Sequence, residues 1–509
     1  MNREAGSVPG RRNRFTLWLV IAAIAVCALW LPFVASDNLR LDSERMLFHA
    51  DEAMAQYVAE GRFGLVALTR IFGLDSWQPL KSGILYAVFF VVSGMILTLF
   101  LRRDGNLPEL PALLFFLLYG TCPFWETHAY FTLQAPVIAF CLPFLAFIGC
   151  ADARLIGGRK FSVPLRAAYE VIALAVITFC LTVYQALGTY AAACAAMLLF
   201  TRALRGEKPD IRSLLVWFGR MILALILYAV LVRKISGGLD GYLTGQIGWT
   251  NASFLTCVKE IVVEFGKNFC CFESAHFSLY PVSLVLLAIL ILRRKKAGNR
   301  AWLLLTGIAV ALLPMAMSFA QGARIVPRAQ FAIQITAALT PVLFVREIGE
   351  TGEKKKDLRV CCALLAAAAI LLQPLLVLRA LHTDNVRNEK DLVVASAALE
   401  QIAGMDYENK NIVFVGTVRQ EFPFPLTERA NVIGQSFFDW SWEEGKSTSA
   451  TTGAVRLLRA LDPLIPDRPL TDAKLKKQEA ALAKERPAWP EEGFVTETED
   501  FILVNLPDR

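Results

Sequence analysis

Long apolar runs alternate with short polar, mostly basic, segments as far as about residue 380, and the length of those runs points to the class of protein. A helix rising 1.5 Å per residue needs about 20 apolar residues to cross a hydrocarbon core. Runs of that order fall near 15–35, 83–101, 108–120, 130–150, 167–184, 185–201, 213–232, 277–292, 301–320, 329–345 and 360–378, which predicts about eleven transmembrane helices. The third is short and flanked by proline. Beyond 380 the pattern changes. An amphipathic stretch at 389–401, a buried-type strand at 412–416, a helix at 450–461 and a terminal strand at 501–506 predict a small α/β domain. The expected division is a transmembrane domain at 1–379 and a soluble domain at 380–509.

Composition agrees with a polytopic α-helical membrane protein. The 509 residues are 55% hydrophobic and 19% charged with mean hydropathy +0.47, which excludes disorder, collagen and coiled coil. A net charge of +7 would suggest nucleic acid in a soluble protein, but here Lys and Arg sit between the apolar runs, so the expected surface partner is the lipid bilayer and not nucleic acid. With the N-terminus in the cytoplasm, the inner connections hold 24 Lys/Arg in 69 residues and the outer ones 11 in 107. That asymmetry predicts a cytoplasmic N-terminus and, with an odd number of spans, an extracytoplasmic C-terminal domain. The eleven cysteines show no spacing that would hold zinc or an iron–sulfur cluster.

Candidate chemistry gathers in the predicted outer segments. The 36–81 loop opens with Asp37, Asn38, Arg40, Asp42, Glu44 and Arg45 at the membrane edge. Carboxylates beside a low-dielectric boundary suit proton abstraction, although a solvated start with acids paired to Arg40 and Arg45 explains the same residues. The following 46–60 stretch has helical apolar spacing and reads either as an interfacial helix walling a cleft or as a plain connector, ended by Gly61-Arg62. Glu126 and His128 reach the outer side among aromatics, as cleft residues or as hydrogen-bonded structure. Tyr184-Gln185 forms a polar step between two spans, and Arg324 and Arg328 lie four apart in an outer turn where a lipid phosphate would sit. Inside the membrane, Glu170 and Arg220 read either as a structural pair or as charges that snorkel to the cytoplasmic side. Cys257, Cys270 and Cys271 leave a disulfide in the 233–276 loop open.

The order of several pieces resembles a known family: the acid and arginine cluster after the first span, Gly61-Arg62, Tyr184-Gln185, Arg324 with Arg328, and Gly434-Gln435-Ser436-Phe437-Phe438-Asp439-Trp440. Together they look like the bacterial type II glucosyltransferases related to O-antigen glucosylation. The resemblance implies a GT-C-like fold and a glycosyltransferase that moves a sugar from a polyprenyl-phosphate donor to a cell-surface glycan acceptor by inverting displacement. It implies Asp37 as the base, acting either alone or with the help of Asp42 or Glu44. The implied substrate-binding set is Asn38, Arg40, Arg62, Tyr184, Gln185, Arg324, Arg328, Gln435 and Trp440, to which the reading of the outer segment itself adds Glu126 and His128. The family pattern has two adjacent acids before the arginine, where this chain has Asp37-Asn38. A single carboxylate beside Asn38 makes a poor cage for a divalent metal, so no cofactor is expected. The rival readings are a transporter or flippase of lipid-linked saccharides and a non-catalytic membrane anchor.

Overall fold

A computed structural model of the chain describes residues 9–34, 36–40, 43, 45–159, 161–238, 244–270, 279–294, 299–350, 355–418, 433–439, 451–466 and 481–507. These divide into two compact units, Met1–Ser36 with Asp51–Val377, and Asp37–Ala50 with Leu378–Arg509. The loop after the first span is therefore shared. Its first residues belong with the C-terminal part of the chain and the rest with the helical unit, whereas the sequence reading kept 36–81 together in the membrane domain.

Each predicted apolar run falls on a helix. Seven helices are long and apolar enough to cross a membrane: Arg14–Phe33, Pro79–Arg103, Ala135–Ile156, Val163–Val183, Ile211–Ser236, Arg300–Gln321 and Lys356–Ile402. Glu109–Gly120, Leu187–Ala203 and Tyr280–Arg293 are shorter and apolar, and Ile333–Glu350 is almost wholly buried among its neighbours. Caps and breaks follow local chemistry. Asp210 accepts from the backbone of Arg212 and from Ser213 to start Ile211–Ser236. Pro314, which has no N–H to donate, stands in the 3-10 turn Leu313–Met315 that divides Arg300–Leu312 from Ala316–Gln321.

Arg220 is buried within its helix, and the pairing with Glu170 is present at 2.7 Å. Asp152, unremarked in the sequence, is a second partner, and Tyr169 donates to Asp152 at 2.6 Å. Two carboxylates about one guanidinium offset the cost of removing these charges from water.

The last apolar run continues without a break. Lys355–Ala367 passes through a π-helical turn, Ala368–Leu372, into Gln373–Ile402. The sequence reading separated 360–378 from a soluble helix at 389–401. The two are one helix, because neither glycine nor proline occurs between Leu375 and Ala403. Forty-seven residues at 1.5 Å each make roughly twice the thickness of a hydrocarbon core of about 30 Å, and no charged side chain occurs between Cys361 and Leu378.

In the second unit, β1 (Asn411–Val415) lies parallel to β3 (Phe501–Asn505), and β2 (Val495–Glu497) antiparallel to it, in the order β1-β3-β2. Val413, Val415, Phe501 and Leu503 build the core with Ala483. β2 has no counterpart in the expected elements, since its three residues are too few to show alternation. Within this unit, Asn38, Leu39 and Arg40 are tied to the helix Gln373–Ile402 by a polar network. Asn38 donates to Asp384 (3.1 Å) and Asn385 (2.7 Å), Arg40 to Asp384 (3.1 Å), and Arg387 to Asp384 (2.8 Å) and the Leu39 carbonyl (2.9 Å). Asp391 accepts from Ser436 (2.6 Å) and the Phe437 backbone (3.1 Å).

Burial alone would push Asp384 up, but Arg387 and Arg40 outweigh it and hold the carboxyl down to about 2. A depressed folded-state value means that this stabilisation is in place at neutral pH and is lost as pH falls from about 4 towards 2. Removing the carboxylate that Arg40 and Arg387 share, in Asp384→Ala, should cost about 3–5 kcal/mol, read as a lower thermal midpoint of the purified protein. Asn38→Asp should destabilise by about 1–3 kcal/mol in the same measurement, because it sets a second carboxylate against Asp384 where an amide now donates.

Candidate active site

The helical unit encloses a cavity of about 580 Å³. That volume lies in the range of small-molecule sites. Five residues singled out in the sequence line it: Arg62, Tyr184, Gln185, Arg324 and Arg328. They come from three stretches far apart in the chain, each shaped by a local break in helix.

Gly61, at φ +73°, turns the chain between Ala50–Ala59 and Phe63–Ile71 and leaves Arg62 at the head of the second helix. The Arg62 guanidinium pairs with Glu60 at 3.1 Å and lies over the Tyr184 ring at 4.9 Å. Tyr184 is extended, which ends Val163–Val183 and lets Gln185 turn inward before Leu187–Ala203 begins. Gln185 donates to the Glu60 carbonyl (3.0 Å) and to the Tyr228 hydroxyl (2.8 Å). Both amide hydrogens are thereby used, fixing the step to the Glu60–Arg62 corner.

On the far wall, Gly322 at φ +66° ends Ala316–Gln321 and directs Arg324 into the cavity, where Glu260 holds it in an ion pair. Arg328, in the 3-10 turn Pro327–Ala329, lies over the Phe131 ring at 4.2 Å. Three guanidinium groups and one carboxylate, Glu260, are thus the charged groups among the described lining residues. Such a lining favours an anion, and planar guanidinium forks suit phosphate oxygens.

The other expected site residues lie elsewhere. Glu126 and His128 are buried in the helical unit and do not line this cavity. His128 stacks on Phe331 at 4.3 Å, and burial with the neighbouring Arg328 pushes its imidazole down to about 3, so it is neutral at physiological pH. Asp37 is exposed in the second unit, while Asn38 and Arg40 are engaged with Asp384 there. In the same unit Gln435 is half-buried beside Phe437 and Phe438, which are wholly buried. Asp42, Glu44 and Trp440 lie outside the described residues. Cys257 is a buried free thiol, and the side chains of Cys270 and Cys271 also lie outside them.

The sequence reading missed Glu60, Tyr228 and Glu260. The signal for Glu260 was present. Phe254–Cys270 is a strongly amphipathic helix, with Phe254, Leu255, Val258 and Val262 exposed and Cys257 and Ile261 buried, in a stretch read as loop. The short helix at 46–60 is instead divided, into Arg45–Phe48 and Ala50–Ala59.

The family model described as Glucosyl transferase GtrII matches residues 31–345, more than half of the chain. The chain belongs to this family. The match reaches from residue 31 through every described residue that lines the cavity. No curated protein and no solved structure matches the chain. A GtrII glucosyltransferase needs a sugar donor and an acceptor, and the arginine-lined cavity is the candidate place for one of them.

Gly322→Ala should lower the thermal midpoint, with a cost of about 1–3 kcal/mol. A left-handed backbone is strained for alanine, and the new Cβ would meet the Trp249 ring at 2.6 Å.

Proposed function

We propose that this GtrII glucosyltransferase takes glucose from a polyprenyl-phosphate carrier and adds it to a cell-surface glycan at the outer face of the membrane, inverting the anomeric centre. The observation that carries the reading is the cavity itself. It offers three arginines to an anion, has room for a sugar phosphate, and is built among helices of membrane-spanning length, where a donor with a hydrocarbon tail partitions. The polytopic, GT-C-like arrangement of about eleven spans, the cytoplasmic N-terminus and the extracytoplasmic α/β domain belong to the same proposal, on the strength of the Lys/Arg asymmetry between alternate connections.

In this mechanism an acceptor hydroxyl oxygen attacks the anomeric carbon as the bond from that carbon to the phosphate oxygen breaks. The bonding pair leaves with the phosphate, and the carrier departs as a monoester. Arg324, Arg328 and Arg62 stabilise the charge that grows on the phosphate. The hydroxyl proton goes to Asp37, the exposed carboxylate that the family pattern assigns as base. Asp42 and Glu44 assist by proximity in sequence, and Tyr184 and Gln185 shape the donor site.

The test is transfer of radiolabelled glucose from a polyprenyl phosphate to cell-envelope glycan. Asp37→Asn should lower kcat by about 100-fold or more, the scale of a lost general base. Full activity in that variant would remove Asp37 from the mechanism. Flipping or uptake of lipid-linked sugar in vesicles, without transfer, would replace the proposal by a transporter.

A further inference from the structure

The three cavity arginines are held in different ways, and the difference decides which of them a ligand can take over. The Arg62–Glu60 pair is 13% and 5% exposed, so drawing the guanidinium away would strand a buried carboxylate. Arg328 is stacked on Phe131. The Arg324–Glu260 pair is 46% and 29% exposed, and both residues line the cavity. Water can solvate either partner when they separate, so exchanging one anion for another at Arg324 costs little.

We infer that Glu260 is a built-in competitor for the donor phosphate: it holds Arg324 in the empty cavity, yields it to the incoming phosphodiester, and reclaims it to expel the carrier phosphate. The inference rests on the proposed lipid-phosphate donor. Charge supplies the direction of the cycle. The donor is a phosphodiester with a single negative charge, whereas the departing carrier is a monoester whose second ionisation falls near neutral pH. A cavity with three guanidinium groups and no internal anion would hold the more highly charged product more tightly than the substrate. Glu260 opposes this through its own claim on Arg324. It lies on helix Phe254–Cys270, so its carboxylate comes from a different element than the arginine it restrains. Glu260 is thus a positioning and specificity residue, acting through Arg324.

The experiment uses the full-length protein and farnesyl phosphate as the probe, with binding and product inhibition measured separately. Glu260→Gln should bind farnesyl phosphate roughly two- to five-fold more tightly than wild type, the range expected for releasing one exposed ion pair. In glucosyl transfer the same variant should show a lower KM, a lower kcat and stronger inhibition by farnesyl phosphate. Glu260→Asp, which keeps the charge, should stay close to wild type. The gain should vanish when Arg324→Ala is the background, since the competition then has no object. Unchanged or weaker binding in Glu260→Gln, or a gain that persists without Arg324, would overturn the inference while leaving the donor reading intact. A raised KM would mark Glu260 as merely structural. Absence of farnesyl phosphate binding to wild type and all variants would overturn the donor reading and the inference together.

Discussion

A guanidinium carried into apolar surroundings must be met there, by a carboxylate or by the face of an aromatic ring, because the water it leaves behind solvates it by many kcal/mol. This constraint recurs in both units. Arg220 is met by Asp152 and Glu170 from other helices, Arg40 and Arg387 by Asp384, Arg62 by Glu60 and Tyr184, Arg328 by Phe131 and Arg324 by Glu260. The pairs differ in exposure, and exposure separates their roles. Arg220–Asp152 and Arg40–Asp384, with both members buried, join stretches distant in the chain. The Arg324–Glu260 pair, open to the cavity, is the one whose partners can be exchanged at small cost.

The cavity depends on interruptions in helices. Gly61 and Gly322 adopt left-handed conformations, and Tyr184 is extended between two helices. Each break is followed within two residues by a polar side chain that lines the cavity: Arg62, Gln185 and Arg324. The Glu60 carbonyl, beside one such break, finds its partner in Gln185. Membership of the GtrII glucosyltransferases gives these features a chemical setting, since the family match covers every described residue that lines the anion-favouring cavity.

The departure of Asn38 from the paired acids of the family pattern has a local physical account. Its amide donates to Asp384 and Asn385, so this position in the chain is committed to the buried network of the second unit. Asp37 remains exposed beside it. The neighbouring residues are thus divided in role, one turned to the protein and one to solvent.

Apolar run length was enough to locate the long apolar helices but not the amphipathic Phe254–Cys270, because the number of residues needed to cross a hydrocarbon layer is set by helix rise alone. Order and spacing of short motifs were enough to name the family and to select Arg62, Tyr184, Gln185, Arg324 and Arg328, which converge on one cavity. The strands at 411–415 and 501–505 were legible from their apolar continuity, whereas the three residues of β2 were too few to carry a pattern. What the sequence left undetermined was partnership. Glu260 is 64 residues from Arg324, Tyr228 is 43 from Gln185, and Asp384 is 344 from Arg40. A side chain's charge is written in its identity, but the group that answers it, and whether water reaches the pair, depends on how distant segments pack. Tertiary structure alone settled which arginines are fixed and which one is free to exchange its partner.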